Sequence, residues 1–223
     1  MMIVSLGSGR VDISVAQTLK ILLSTVFPLT PDVSATTWSV IVDVRLPRIL
    51  AGMLVGGALS ISGASFQGVF QNPLVSPHIL GVAAGAGFGA ALAILLFDNI
   101  WLIRWRINLL AMGDEDARTL GVNTEALKLV IIVCATIATA SAVCISGIIG
   151  WIGIMIPHIG RLIVGPDHKY QLPISMIIGA AYLVTVDTIA RTALTTEIPI
   201  GILTAIFGAP VFAMLLRKTQ KAG

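Results

Sequence analysis

A series of apolar stretches, each close to the thickness of a bilayer, limits most strongly what this chain can fold into. A spanning helix needs about 20 predominantly apolar residues, and several stretches meet or approach that length. Only 11% of the 223 residues are charged, against about 25% in soluble domains. The sequence therefore predicts an all-α, polytopic transmembrane helical bundle. Its apolar stretches are Ile49 to Phe70, Ile79 to Phe97, Leu129 to Ser146, Gly147 to Ile163, Ile174 to Leu194 and Ile200 to Leu216.

Small residues recur at four-residue spacing in the first two of these stretches. In a bilayer this spacing lets helix backbones approach closely, so we expect both helices to belong to a packed bundle. A role in lining a wide pathway is the alternative interpretation. The two stripes are Gly52, Gly56, Ser60, Ala64 and Gly68 in the first stretch, and Gly81, Gly85, Gly89 and Ala93 in the second.

The segment that precedes the first span has a different pattern. Val11 to Phe27 contains Asp12, Gln17 and Lys20, and its apolar residues recur at helical spacing. This pattern favours an amphipathic surface helix over a spanning one. We expect its apolar side to consist of Ile13, Ala16, Leu19, Leu22, Leu23 and Val26.

Residues that carry chemistry are sparse. Cys134 and Cys144 would lie about 15 Å apart on one helix, which is too far for a disulfide. No spacing fits a Ser/His/Asp set, a metal site, a paired-carboxylate site or a GxxxxGK[ST] phosphate loop. We therefore expect the chain itself to be no enzyme and to bind no metal and no cofactor. Its net charge of +3 does not suggest nucleic acid.

One polar segment interrupts the apolar pattern. The residues from Asp114 to Lys128 are charged and helix-forming, with Gly121 as a break, so they predict two short helices outside the membrane. Basic residues surround this segment, among them Arg104 and Arg106. Because basic loops collect on the cytoplasmic side, we expect the segment to be cytoplasmic.

Four motifs, in a consistent order, resemble those of the FecCD-type (BtuC-like) permeases of ABC importers. Arg45-Leu46-Pro47-Arg48, with the apolar run LAGMLVGGALSISGASFQGVFQNPLVSPHILGVAAGAGFG after it, is similar to the second and third helices of that family. GDEDARTLG, at Gly113 to Gly121, resembles its coupling segment. The stretches Gly147 to His168 and Val186 to Phe212 resemble its closing region.

The resemblance implies a fold and a function. It implies a type II ABC importer permease fold, with one transmembrane domain over residues 1–223 and a cytoplasmic coupling segment at about 113–128. Such a permease works as a homodimer with an ATP-binding subunit and an extracytoplasmic binding protein in a bacterial or archaeal plasma (inner) membrane. It takes up iron–siderophore, haem or cobalamin-type chelates, and the ATP is used by the partner ATPase.

The resemblance also implies roles for charged residues. Arg45, Arg48 and Arg191 match arginines that face outward and pair with acids of the binding protein, although ordinary interfacial anchoring is the alternative. Asp187 lies four residues before Arg191, so the two side chains share a helix face and can pair. A proton relay through Asp187 is the sharper alternative, and pairing is the interpretation that we favour.

Two further sets of residues are candidates. The first set matches the segment that contacts the ATPase and comprises Gly113, Asp114, Glu115, Ala117, Leu120 and Gly121. The second set comprises Gln67, Gln71 and Asn72, near the inner end of the first span. These amides are expected either to line a pathway or to join helices.

The chain departs from the family pattern in length. Most of the first helix, the fourth and fifth helices and most of the sixth have no counterpart, so the bundle is expected to be shortened. Two alternatives to an importer follow. One is a non-transporting remnant or assembly partner, and the other, less favoured, is an ion-coupled secondary carrier, for which Asp187 is the only candidate carboxylate.

Overall fold

The computed structural model describes residues 2–9, 13–27, 33–77, 124–194 and 196–220, and within these residues every regular element is helical. In chain order the α-helices are α1 Met2–Gly7, α2 Val15–Val26, α3 Ala35–Ser39, α4 Leu46–Val69, α5 Thr124–Ser146, α6 Ile152–Val164, α7 His168–Thr192 and α8 Ile200–Gln220. Three described segments are long and apolar enough to cross a membrane: Ala35–Val69, Glu125–Ser146 and His168–Thr192.

The first candidate span contains an irregular turn at the Arg-Leu-Pro-Arg motif. A π-helical segment, Val40–Arg45, joins α3 to α4, and the Leu46 N–H donates to the Ile41 carbonyl five residues earlier. Pro47 explains the widening, because it has no N–H and its ring clashes with the carbonyl four residues before it. The wide turn thus comes directly before α4 and includes Arg45.

The bundle is built from antiparallel packing of α4 against α7. At one end, the start of α4 packs near the second half of α7, where Ile49 and Val184 share a cluster with Leu6 of α1. At the other end, Val69 of α4 packs with Leu127 of α5 and Leu172 of α7. We call the first of these the arginine end, since Arg45, Arg48 and Arg191 all belong to it.

Helices α5 and α6 form the middle of the core. Their apolar residues join Val55, Leu59 and Leu183 in one cluster. Between them the chain reverses at Gly147 and Trp151, which have φ values of 73° and 68°. Positive φ is uncommon for a bulky residue, and here the Trp151 ring packs at 5.7 Å against that of Phe212 in α8.

Helix α6 is too short to cross a bilayer by itself. It has 13 residues, about 20 Å of helix against a hydrocarbon core of about 30 Å. The sequence predicts a longer stretch from Gly147 to Ile163 that Pro157 interrupts. In the structure Pro157 lies inside the helix instead, and the residues 147–151 form the non-helical turn before it.

Close approach of glycines sets the α4–α7 and α4–α6 distances. A Cβ atom added at Gly56 would overlap the Gly179 carbonyl of α7, and one added at Gly63 would overlap the backbone of Gly153 in α6. A Cβ atom added at Gly179 would in turn overlap Ser60 Oγ, so two members of the predicted stripe, Gly56 and Ser60, serve helix packing. Gly63 lies off that stripe, so the sequence pattern did not identify it.

The remaining expectations for the fold divide into three groups. The spans that begin at residues 49, 129, 174 and 200 correspond to α4, α5, α7 and α8, although α7 begins earlier, at His168, where Asp167 caps it. The helix predicted near Val11 to Phe27 is confirmed as α2, but Ala16, Leu19 and Leu23 are exposed. The predicted span Ile79 to Phe97 lies outside the described residues, as do residues 114–123 of the polar segment predicted from Asp114 to Lys128. The last residues of that segment, 124–128, begin α5 and continue into the candidate span Glu125–Ser146. They form no separate short helix, because Leu127 packs with Val69 and Leu172 in the bundle.

We expect Gly56→Ala to destabilise the bundle, because the added methyl group would meet backbone atoms of α7. Overpacking of this kind costs about 1–3 kcal/mol. The measurement is the free energy of unfolding in mixed detergent micelles. Gly52→Ala is the matched control on the same stripe, where, among the described residues, the new Cβ atom would meet only the Val184 side chain, at 3.8 Å. Equal losses in the two variants would contradict the proposed packing.

Candidate functional site

Two buried arginines close the C-terminal end of helix α1. Arg45 Nη1 donates to the carbonyls of Leu6 at 2.6 Å and Gly7 at 3.2 Å. Arg191 Nη2 donates to the Ser5 carbonyl at 3.2 Å and to Ser5 Oγ at 3.0 Å. The last carbonyls of a helix have no partner within it and carry partial negative charge. The two guanidinium groups therefore satisfy these carbonyls and fasten α1 to the bundle.

Asp187 connects two of the three arginines. Its Oδ1 accepts from Arg48 Nε at 2.9 Å and its Oδ2 accepts from Arg191 Nε at 3.0 Å. The Asp187 side chain is only 6% exposed and that of Arg191 only 9%. A buried carboxylate is retained when it is paired and hydrogen-bonded, and here both of its oxygens are used. This carboxylate thus ties the start of α4 to the end of α7.

Glu197 adds an outer pair to this cluster. Arg48 Nη1 donates to Glu197 Oε1 and Arg48 Nη2 donates to Glu197 Oε2, both at 3.0 Å. Such a two-bond arrangement between a guanidinium and a carboxylate adds geometric specificity to the attraction of charges. The side chains of Arg48 and Glu197 are 35% and 54% exposed, so this pair lies at the surface of the arginine end.

Among the described residues, arginines outnumber carboxylates in this cluster. It contains Arg45, Arg48 and Arg191 and the two carboxylates of Asp187 and Glu197, which pair with Arg48 and Arg191. Charged groups this close to an apolar span are costly unless paired, and such residues in membrane proteins mark functional sites by default. The arrangement can present positive charge to an acidic surface while its buried members keep their partners.

The structure brings the three predicted docking arginines together, but it gives them different environments. Arg45 is 5% and Arg191 9% exposed, and both donate to carbonyls of the N-terminal segment. Arg48 is the most accessible of the three. The docking role of Arg45, Arg48 and Arg191 stays a prediction, whereas the predicted pairing of Asp187 with Arg191 is confirmed.

Sequence reasoning missed two members of the cluster. Ser5 lies before the first predicted span and Glu197 lies within the closing motif, and neither was singled out. A search for an acid near the start of the last span would have found Glu197, because Arg48 and Arg191 belong to the same end. No sequence signal indicates Ser5, since its role depends on how α1 packs.

Gln67, a predicted pathway residue, joins two helices. It is 2% exposed, and its Nε2 donates to the Gly153 and Ile154 carbonyls at 3.5 and 3.4 Å. Pro157 has no N–H to offer to the Gly153 carbonyl four residues earlier, so that carbonyl needs another donor. Gln67 Oε1 also accepts from Arg161 Nη2 at 3.1 Å. These contacts support the helix-joining interpretation, and the pathway role is untested.

Gln71 and Asn72 end helix α4. Gln71 has a φ of 49°, its N–H donates to the Gly68 carbonyl, and the Asn72 N–H donates to that of Gln67. This is a Schellman motif, which satisfies the last carbonyls of a helix. Asn72 Oδ1 then accepts from the Leu74 N–H at 2.9 Å. Lining of a pathway by these two residues stays a prediction.

The predicted coupling residues lie outside the described part of the chain, so the structure gives no geometry for them. They are Gly113, Asp114, Glu115, Ala117, Leu120 and Gly121.

Among the described residues no group of three or more His, Cys, Asp or Glu could hold a metal ion. Cys134 and Cys144 are free thiols, as their spacing predicts.

The fold and the charged cluster at one end of it define a class, that of polytopic helical membrane proteins. The FecCD transport family model matches residues 1–105 and 99–218 of the chain. The chain therefore belongs to the FecCD transport family, as its motifs predict, and is a membrane permease component of the ABC-transporter type.

Individual relatives agree with this assignment. The molybdate import system permease protein MolB of Haemophilus influenzae is 31% identical, over 99% of this chain and 93% of the relative. The cobalamin import system permease protein BtuC of Halobacterium salinarum is 33% identical, over 86% and 77%. A solved inward-facing structure of a metal-chelate type ABC transporter is 30% identical, with a TM-score of 0.78, over 97% of this chain and 95% of that one.

The alignment with MolB also bears on length. It extends over 315 positions, more than the 223 residues of this chain. The relative therefore contains residues without a counterpart here, and which helices those residues form stays a prediction.

We expect Asp187→Asn to destabilise the fold strongly. The substitution keeps the shape of the side chain but removes the counter-charge of buried Arg191, and breaking a buried ion pair costs about 3–5 kcal/mol. Unfolding in mixed detergent micelles measures the loss. The matched control is Glu197→Gln, which removes an exposed carboxylate of the same cluster and should cost about 1 kcal/mol or less. Similar losses for both variants would show that Asp187 is not the central residue of the cluster.

A second expectation concerns the link between Gln67 and Pro157. Gln67→Leu leaves the Gly153 carbonyl without a donor and should cost about 1–3 kcal/mol. In a Pro157→Ala background the backbone N–H of residue 157 can serve that carbonyl, so the same substitution should cost less. A double-mutant cycle on the free energy of unfolding measures the difference. Strict additivity would show that Gln67 does not replace the hydrogen bond lost at Pro157.

Proposed function

We propose that this chain is the permease subunit of an ABC importer for iron–siderophore, haem or cobalamin-type chelates. The observation that carries the proposal is the near full-length structural match to a metal-chelate type ABC transporter. Relatives named for cobalamin import and hemin transport support the same substrate class. In this proposal the chain hydrolyses no ATP and holds no cofactor, and an ATP-binding partner supplies the energy.

The proposed assembly has three kinds of partner. A second copy of the chain completes the pathway in the plasma (inner) membrane, an ATPase binds the cytoplasmic face, and a binding protein docks outside. Exposed apolar residues on candidate spans, such as Leu54, Leu129 and Ile177, suit a surface in contact with lipid or with another helix. The coupling segment at 113–128 is the proposed contact with the ATPase.

Docking is proposed at the arginine end. Among the described residues its arginines outnumber its carboxylates by three to two, which favours an acidic partner, and Arg48 is its most accessible arginine. Arg45 and Arg191 are buried beneath Arg48 and add positive charge there. Their contacts with the α1 carbonyls hold the N-terminal segment against the arginine end. Interfacial anchoring remains the alternative role, and it predicts no effect on a soluble partner.

Oxyanion import is the second candidate function. The observation that favours it is the molybdate permease MolB, which matches almost the whole chain at 31% identity. Both candidates use the same partners and differ only in substrate. Parallel uptake assays with a ferric siderophore, haem, cobalamin and molybdate separate them.

The test uses the chain in membranes with the ATPase and binding protein of the same host. We expect the ATPase to co-purify with the chain, and proteoliposomes that contain all three components to accumulate a chelate only with ATP. The control is a Glu115→Lys, Gly121→Trp double variant, which should lose the ATPase because both changes fall in the proposed coupling segment.

Each alternative has its own outcome. Accumulation of molybdate but of no chelate would support the oxyanion importer. Accumulation driven by an ion gradient without ATP would support a secondary carrier. Stable insertion without ATPase binding and without uptake would show a non-transporting remnant of the family.

A further inference from the structure

We propose that Glu197 occupies, on Arg48, the position that a carboxylate of the docking partner takes, so that docking exchanges an internal ion pair for an intermolecular one. The inference rests on the proposed function, because it concerns the same docking surface. It adds a residue and a mechanism that the docking role of the arginines does not include.

The geometry of Arg48 carries the first step. Its Nε is directed inward, to Asp187, and its two terminal nitrogens are directed outward, to Glu197. A planar guanidinium can donate hydrogen bonds to one carboxylate from its Nε side and to another from its two terminal nitrogens. The inner edge is held by a carboxylate that is 6% exposed, whereas the outer edge is held by one that is 54% exposed. An incoming carboxylate that binds this outer edge must therefore displace Glu197.

The second step is that exchange at Arg48 is easier than at the other arginines. Arg45 and Arg191 are buried, and their nitrogens donate to carbonyls of the N-terminal segment. Displacement of those contacts would uncap α1 and leave buried carbonyls without donors, which is costly. An exposed ion pair contributes little to stability, so the Arg48–Glu197 pair can open at small cost.

The third step concerns what the exchange releases. Glu197 lies between α7 and α8, and the Ile198 N–H next to it donates to the Ala190 carbonyl at 3.2 Å. Ile198 packs with Ala190 and Leu203, so this segment leads directly into the first turns of α8. The Arg48–Glu197 pair therefore links the start of α4 to the segment that precedes α8. Its opening on docking loosens that link at the outer surface.

The test measures the affinity of the soluble binding protein for the complex of permease and ATPase in lipid nanodiscs. We expect Glu197→Gln to tighten binding by about threefold to fivefold, since the partner no longer displaces a charged competitor. Arg48→Gln should weaken binding by roughly tenfold, since the partner loses its cation. In the Arg48→Gln background, Glu197→Gln should have no further effect.

Other results would overturn the inference. Weaker binding by Glu197→Gln would mean that Glu197 positions Arg48 or contacts the partner directly. An equal effect of Glu197→Gln on affinity with and without Arg48 would mean that the charge of Glu197 acts on the partner through long-range electrostatics and not through Arg48. No change in either background would mean that no exchange occurs.

The same preparation separates failure of the inference from failure of the proposed function. If the original chain binds the partner and imports a chelate while Glu197→Gln binds with unchanged affinity, only the exchange is wrong. If the original chain inserts stably but neither binds the partner nor imports any substrate, both proposals are wrong. An unfolding measurement on Glu197→Gln shows that the variant is folded.

Discussion

The two-sided pairing of Asp187 is the interaction on which the rest of the arginine end depends. One oxygen of this buried carboxylate holds Arg48 of α4 and the other holds Arg191 of α7. Because Arg191 also caps α1, the position of the N-terminal segment follows from the same carboxylate. An isolated charge at this depth would be unfavourable, and only the mutual pairing makes the cluster stable. Asp187, for which a proton relay is the alternative role, thus has both of its carboxylate oxygens in structural ion pairs.

The bundle itself depends on close backbone contact. Gly56 meets Gly179 and Gly63 meets Gly153, which brings α7 and α6 against α4. Water does not drive helices together within a lipid phase, so dense packing and hydrogen bonds between helices have to do so. Pro157 leaves one carbonyl of α6 without its usual donor, and the amide of Gln67 supplies one from α4. The Gly63–Gly153 contact and this amide therefore fix the same pair of helices, α4 and α6.

The arginine end combines a rigid base with an exchangeable surface. Arg45 and Arg191 are committed to the carbonyls of the N-terminal segment, while the outer edge of Arg48 faces an exposed carboxylate. This division suits a docking surface, since a partner can compete for Arg48 without disturbing the buried contacts. The proposed exchange with Glu197 makes use of this difference in burial.

Much of this architecture follows from the sequence by itself. The lengths of the apolar stretches determine the membrane-spanning class, the small residues at four-residue spacing indicate close packing, and Asp187 and Arg191 are four residues apart on one helix face. The motifs were sufficient to indicate the family. Other features were decided only by tertiary structure. Glu197 lies 149 residues from Arg48 and Ser5 lies 186 residues from Arg191, and no local pattern joins them. The antiparallel packing of α4 and α7 creates the first contact and the packing of α1 against α7 creates the second, because each brings distant segments to one end of the bundle.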